Sequence, residues 1–399
     1  MTSSQYSWLP DHHLGVAATL AHTDEVIANL SEVLYAFQTQ EDGIFQLAEV
    51  PVGEYSQSVV ASVAPIPRKV QLLVVDAMVG LRNALEHTLF AEVEYRDGDL
   101  DAKAARQVEI PANETIENFQ KWIASKRKNG PPSLQADSEL LERIDALQPY
   151  HRVQDPSDHP LAILAAHTNR YKHRTVPSTA VMLPAMYRED QMPSSLSDLP
   201  RRPEAPLQVG EVIAENPIGT KVMVTLFPTV GINRPDTARW PVLMKELDQL
   251  AHWVRAVAVP RLITGAPSVV PALPARYAIA VGHEDDRSSL AGGSAKAAPQ
   301  VHLERLSARM VRADMGETLG AMQDAPEKDQ ITAWLESLSD EEMLRRMSEL
   351  RATFDYEPEI VLANFAIMEG MRDEAVRFGR SVAVANDSSL GKGEASVVS

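Results

Sequence analysis

Arg82, Asn83 and His87 stand together in the run Arg82-Asn83-Ala84-Leu85-Glu86-His87. A histidine titrates near neutral pH, so His87 can take or give a proton. Arginine offers a planar fork to phosphate oxygens. Asn83, four residues before His87, can orient the imidazole or touch a phosphate. These types suit cleavage of a phosphodiester by an internal 2′-hydroxyl without a metal. His87 would be general base or acid, Arg82 the clamp on the transition-state phosphate and Asn83 the orienting group. Five helical positions turn a side chain by about 140°, so Arg82 and His87 share a site only at a helix flank or an interface. The run also has a plain structural reading: Arg82 and Glu86 have i,i+4 ion-pair spacing, and His87 can be an interfacial histidine.

Further polar groups could serve such a site. Asp76, Gly80, Asn83 and His87 lie within about 60° of one another on a helix, which adds Asp76 to the substrate contacts. Lys126-Arg127-Lys128 can follow a nucleic-acid backbone, although such runs usually end a helix in solvent. Asn169, Lys172, His173 and Arg174 can supply phosphate ligands or complement a helix dipole. Trp122 and Tyr171 lie among these cations and can stack on bases. His151, His159, His167 and His173, with Asp155 and Asp158, match no standard metal-ligand spacing, so no metal or other cofactor is expected. His283-Glu284-Asp285-Asp286 reads as a solvated turn, and His12-His13 as exposed polar sequence near the N-terminus.

The elements that must position these groups follow from periodicity. Residues 69–94 form the strongest predicted helix, with Leu72, Val75, Val79, Leu85, Leu89 and Val93 apolar and Gly80 its weak point. Residues 14–37 predict a long helix before it. Two β-prone runs, 44–52 and 56–63, are split by Gly53 as in a hairpin. Pro65 and Pro67 block helix until Arg68. Helices are predicted over 116–124, 139–147, 160–173 and 240–262, with Pro260 fraying the last, and strands over 175–187, 208–214 and 221–227. Residues 264–300 read as a flexible linker with one strand at 276–281, and 291–299 as low-complexity sequence. Helices over 302–323, 327–337, 340–354 and 358–380 make a C-terminal region (301–385), and 386–399 a disordered tail.

The 399 residues carry 38 basic and 55 acidic side chains, a net charge of −17, and no cysteine. Thiol nucleophiles, disulfides and Cys-ligated metals are thereby excluded. With 44% hydrophobic residues the chain can bury a sizeable core, which excludes wholesale disorder. Residues 1–67 and 264–399 hold a net −8 each, while the motif-bearing middle is close to neutral. Such a balance argues against a protein that coats nucleic acid and leaves room for a local site. No nucleotide-binding glycine motif, nucleophile elbow or zinc helix is present. No secretory leader or membrane span is evident, so a cytoplasmic protein is expected.

Arg82, a polar Asn83, three residues and His87 match the signature of HEPN domains, and the chain resembles a set of bacterial HEPN-like proteins. In these a proline-ended hairpin precedes the motif helix, as at residues 65–87, although Glu86 stands where Asp is usual. Gln148-Pro149-Tyr150 and Asn169-Arg170-Tyr171-Lys172-His173-Arg174 match two later blocks. The resemblance covers 14–263 loosely and 65–175 well. It implies a mainly α (α+β) fold, a HEPN-like bundle with small β insertions over 1–263. It also implies a metal-independent RNA endonuclease, acting as a homodimer in a toxin–antitoxin or phage-defence system. A cognate antitoxin or other partner would sit on the acidic C-terminal helices. An inactive scaffold that mediates dimerisation or partner binding is the alternative.

Overall fold

Helix α2 (Arg68–Asp97) is the axis of the N-terminal part of the computed structural model. Pro67 precedes it in extended conformation, and Gly98 ends it at φ 82°, a left-handed backbone that glycine adopts without strain. Its buried stripe recurs at helical spacing: Val70, Val74, Ala77, Met78, Leu81, Ala84, Leu85, Leu89 and Val93. That stripe meets α1 (Leu14–Gln38), which buries Val16, Leu20, Ile27, Leu30 and Leu34. His13 meets Glu92 and Thr23 meets Gly80, so the two helices run antiparallel. Gly80 sets their separation, because a Cβ there would lie 2.5 Å from Thr23 Oγ1.

The structure describes residues 5–188, 202–220, 222–266, 271–351 and 357–390, with the side chains of Lys128, Asn129, His173 and 382–390 outside that description. The described residues form a mainly helical α+β protein with small antiparallel sheets. They divide into two compact units, one up to residue 300 and one from residue 301.

In the first unit β1 (Phe45–Val52) and β2 (Tyr55–Val63) form the expected hairpin, turned at Gly53 with φ 62°. Three more strands, β3 (Thr179–Arg188), β4 (Val212–Pro217) and β5 (Val224–Ile232), complete the sheets. β4 joins β2, while β3 pairs with β5. Helix α3 (Ala102–Ala105) is capped by Asp101, α4 (Ile116–Asn129) by Thr115 and α5 (Glu139–Asp145) by Ser138. Helix α6 (Pro160–His173) starts on a proline, whose missing N–H costs nothing in a first turn.

Helix α7 (Leu243–Trp253) does not fray at Pro260. A π-helical turn, Val254–Ala258, leads into α8 (Val259–Thr264), and Pro260 sits in the first turn of α8. The wider turn relieves the clash a proline ring makes with the carbonyl four residues back.

The expected linker is largely built into the first unit. Leu273, Ala275, Leu290 and Ala297 are buried, and α9 (Asp286–Ala291) is capped by Asp285. Arg276 bonds Asp24 of α1, and Asp24 Oδ1 also accepts from Ala298 N at 2.8 Å, at the start of α10 (Ala298–Gly320). Arg287 donates to Tyr6 O and to Asp11 Oδ1 at 2.6 Å. In place of the strand at 276–281, Arg276 makes an isolated bridge to Ser294. Small residues read as flexible in isolation, but here Ala275 and Ala297 are buried.

The second unit contains α11 (Lys328–Ser337), α12 (Asp340–Glu349) and α13 (Pro358–Leu390). Its core joins Met315, Leu319, Ile331, Trp334, Leu335, Met343 and Met371. Arg312 fastens the α11–α12 turn through the Leu335 and Leu338 carbonyls and Asp340. Helix α13 continues past residue 386, where a tail was expected, and residues 391–399 lie outside the description. Among the described residues, no helix is long and apolar enough to cross a membrane.

Candidate functional site

Arg82 and Glu86 are the ion pair that their spacing predicts, 2.6 Å apart. Together they grip the backbone of one distant residue. Arg82 Nη2 donates to the Ile110 carbonyl at 2.5 Å, and Ile110 N donates to Glu86 Oε2 at 2.9 Å. The neighbouring backbone is held by Gln148, which is buried. Its Nε2 donates to the Pro111 carbonyl at 3.0 Å, and its Oε1 accepts from Asn113 N at 3.0 Å. Two blocks of the sequence signature therefore clamp the strip Ile110–Asn113. Arg82 Nη1 is buried with no hydrogen-bond partner among the described residues.

The polar stripe on α2 divides by role. Gly80 is a packing position against Thr23. Asp76 and His87 are exposed and Asn83 is half-buried. Among the described residues, His87 and Asn83 have no hydrogen-bond or ion-pair partner, so no neighbour fixes the tautomer of the imidazole.

The basic groups expected to bind RNA are dispersed. Lys126 is buried, which overturns its place on a solvent-facing basic run. Its Nζ donates to the Gln107 carbonyl at 2.7 Å and to Glu109 Oε1 at 3.1 Å, and it lies 5.0 Å from the Trp122 ring centre. Arg127 is exposed, and the side chain of Lys128 lies outside the description. Asn169, Lys172 and Arg174 are exposed at the end of α6, and the side chain of His173 also lies outside the description. Neither expected base-stacking aromatic is a free platform. Trp122 stacks on Phe119 at 5.7 Å, and Tyr171 Oη bonds His167 Nδ1 at 2.5 Å.

Two polar clusters lie away from the motif. In one, Arg234 holds the buried Glu246 through two bonds of 2.7 and 2.8 Å, and its third nitrogen reaches Asp158 at 2.6 Å. His167 is fully buried nearby. Burial, with the charges of Arg234 and Arg170, pushes its imidazole down to about 3. His159 is pushed down to about 4, first by burial and then by Arg152 and His151. His151, by contrast, is exposed, with its Nε2 3.4 Å from Asp145 Oδ1.

The other cluster joins the N-terminal turn Asp11–His13 to α2. His13, buried rather than exposed as expected, has its Nε2 2.8 Å from Glu92 Oε1. His12 Nε2 faces the same oxygen at 3.7 Å. Arg96 Nε donates to Glu92 Oε2 at 3.1 Å, and Arg143 Nη1 stands 3.5 Å from that atom. Burial raises the Glu92 carboxyl, but hydrogen bonds from His13 and Arg96, with their charges, outweigh it and leave the group below its ordinary value. Burial, and then His13, lower the His12 imidazole. One sequence signal marks this site: Glu92 stands on the apolar stripe of α2, between Leu89 and Val93.

No family model matches the chain, and neither a curated protein nor a solved structure matches it.

Proposed function

We propose that the chain is a non-enzymatic interaction protein built on a HEPN-like bundle, acting in the cytoplasm. One observation carries this reading: the signature arginine is committed to its own fold. Arg82 holds Glu86 and the Ile110 carbonyl. Gln148 of the second block likewise holds Pro111 and Asn113. The test compares wild type with His87→Ala for RNA cleavage in EDTA and for growth on overexpression. No cleavage and no growth arrest by either protein is the expected result. Cleavage by wild type that His87→Ala abolishes overturns the reading.

A second reading has one observation in its favour. Arg82 Nη1 is buried without a partner among the described residues, while the exposed His87 and Asp76 and the half-buried Asn83 share one side of α2. A homodimer that brings two such stripes together would assemble a composite RNase site, with His87 as acid or base, Arg82 as phosphate clamp and Asn83 as orienting group. The acidic C-terminal helices would then hold an antitoxin-like partner. Sedimentation of wild type, followed by cleavage assays on the dimer fraction, separates the two readings.

A further inference from the structure

We infer that His12, His13 and Glu92 form a binding site for a divalent cation of the zinc class. Three ligand atoms converge there, one from each residue and all within 4.8 Å of one another, and the Nε2 atoms of both histidines face Glu92 Oε1. A tetrahedral zinc site holds nitrogen and oxygen ligands about 2.0–2.1 Å from the metal, which places the ligands roughly 3.4 Å apart. The observed separations of 2.8 Å from His13 to Glu92 and 3.7 Å from His12 to Glu92 bracket that value. Small rotations of the two rings would admit the ion.

A shared proton accounts for half of this geometry. The His13–Glu92 contact is an ordinary hydrogen bond. His12 is left over, because 3.7 Å is too long for one. Its ring is nevertheless held facing the carboxylate: Tyr95, one turn beyond Glu92 on α2, stacks on it at 4.5 Å and 11°. Two imidazole nitrogens and one carboxylate oxygen are thus gathered at the separations a shared cation would set.

The surroundings prepare the carboxylate for one-oxygen ligation. Arg96 occupies Oε2, which leaves Oε1 to the histidines. One of the two guanidinium charges beside Glu92 is balanced by Glu139, 3.3 Å from Arg96 and 2.6 Å from Arg143. Orientation of a ligand by such outer partners is the usual design of protein metal sites. Two imidazoles and one carboxylate leave a fourth position open, on the side where the His12 side chain is about a third exposed.

The test is titration of the full-length, EDTA-stripped and desalted chain with zinc chloride by calorimetry, repeated with cobalt by visible absorption. His12→Ala is the main variant, because His12 lies at the exposed edge of the cluster and its loss leaves the His13–Glu92 bond in place. His252→Ala, at an exposed histidine on α7, is the control. Wild type and His252→Ala should bind one zinc ion per chain and gain thermal stability from it. His12→Ala should bind at least about tenfold more weakly, the scale on which even outer-shell changes act. Failure of wild type to bind zinc, or equal binding by His12→Ala, overturns the site. The outcome is independent of RNA cleavage, which is assayed in EDTA.

Discussion

The Arg82 guanidinium reaches the Ile110 carbonyl, 28 residues away, at 2.5 Å, and Glu86 returns a bond to the N–H of the same residue. Removing either side chain orphans a backbone group in a part-buried place. Arg82→Ala and Glu86→Ala should each cost about 1–3 kcal/mol. His87→Ala should stay within about 0.5 kcal/mol, as is usual at an exposed position. Urea unfolding of the three variants measures the difference, and an equal loss at His87 would contradict the division of roles.

Lys126 and Arg127 are adjacent cations in opposite situations. The first is buried against Gln107, Glu109 and Trp122, and the second is exposed. Lys126→Ala should destabilise the fold by about 2 kcal/mol through lost packing and an unpaired carbonyl. Arg127→Ala should be close to neutral. The check is the thermal midpoint of each; a larger loss for Arg127→Ala would reverse the assignment.

Gly80 permits α1 and α2 to meet. In Gly80→Ala the new methyl would press on Thr23, for an expected cost of about 1–3 kcal/mol. Most of that cost should vanish when Gly80→Ala is made in a Thr23→Ala background. Additive losses in the double-mutant cycle would show that the contact does not set the helix separation.

Asp24 joins α1 to both Arg276 and the first turn of α10. Asp24→Ala should release that segment, so amide exchange over residues 271–300 should quicken while exchange in the α2 core stays slow. Unchanged protection over 271–300 would mean that apolar packing alone holds it.

His167 gives the fold an acid-sensitive step. Its folded pKa of about 3 lies below the ordinary histidine value, so between pH 6.5 and pH 3 the unfolded chain binds a proton that the folded chain does not. Stability contributed by the neutral form is therefore present above pH 6.5 and lost as pH falls through that window. At pH 5 the loss from this residue is about 2 kcal/mol. Denaturant midpoints at pH 7 and pH 5 measure it, and a His167→Gln variant should show the smaller pH dependence.

What could be read from the sequence was local. The α2 stripe, the β1–β2 hairpin and the Arg82–Glu86 spacing all depend on neighbours within a few positions. Partners far along the chain decided the rest. The burial of Lys126 depends on residues 107–109, and that of His13 on Glu92, 79 residues away. Residues 264–300 have the composition of a linker. Contacts far along the chain, among them an ion pair spanning 252 residues, make them part of the α1 unit. Glu92 is the exception, since a carboxylate among Leu89 and Val93 marks a buried partner before that partner is known.

The π turn at Val254–Ala258 bears on how this chain tolerates change in length. Such a turn holds about one residue more than an α-helical turn over the same span. Deleting one residue there would restore regular helix and leave everything beyond it in its present orientation. Leu262 and Ile263 would stay in the core, with Arg143 still donating to both of their carbonyls, but the Pro260 ring would then face the carbonyl of an α-helical turn. A single-codon loss in this surplus turn should therefore cost stability through Pro260 and not through a shifted helix face, while insertions at the exposed β1–β2 turn around Gly53 should pass unnoticed.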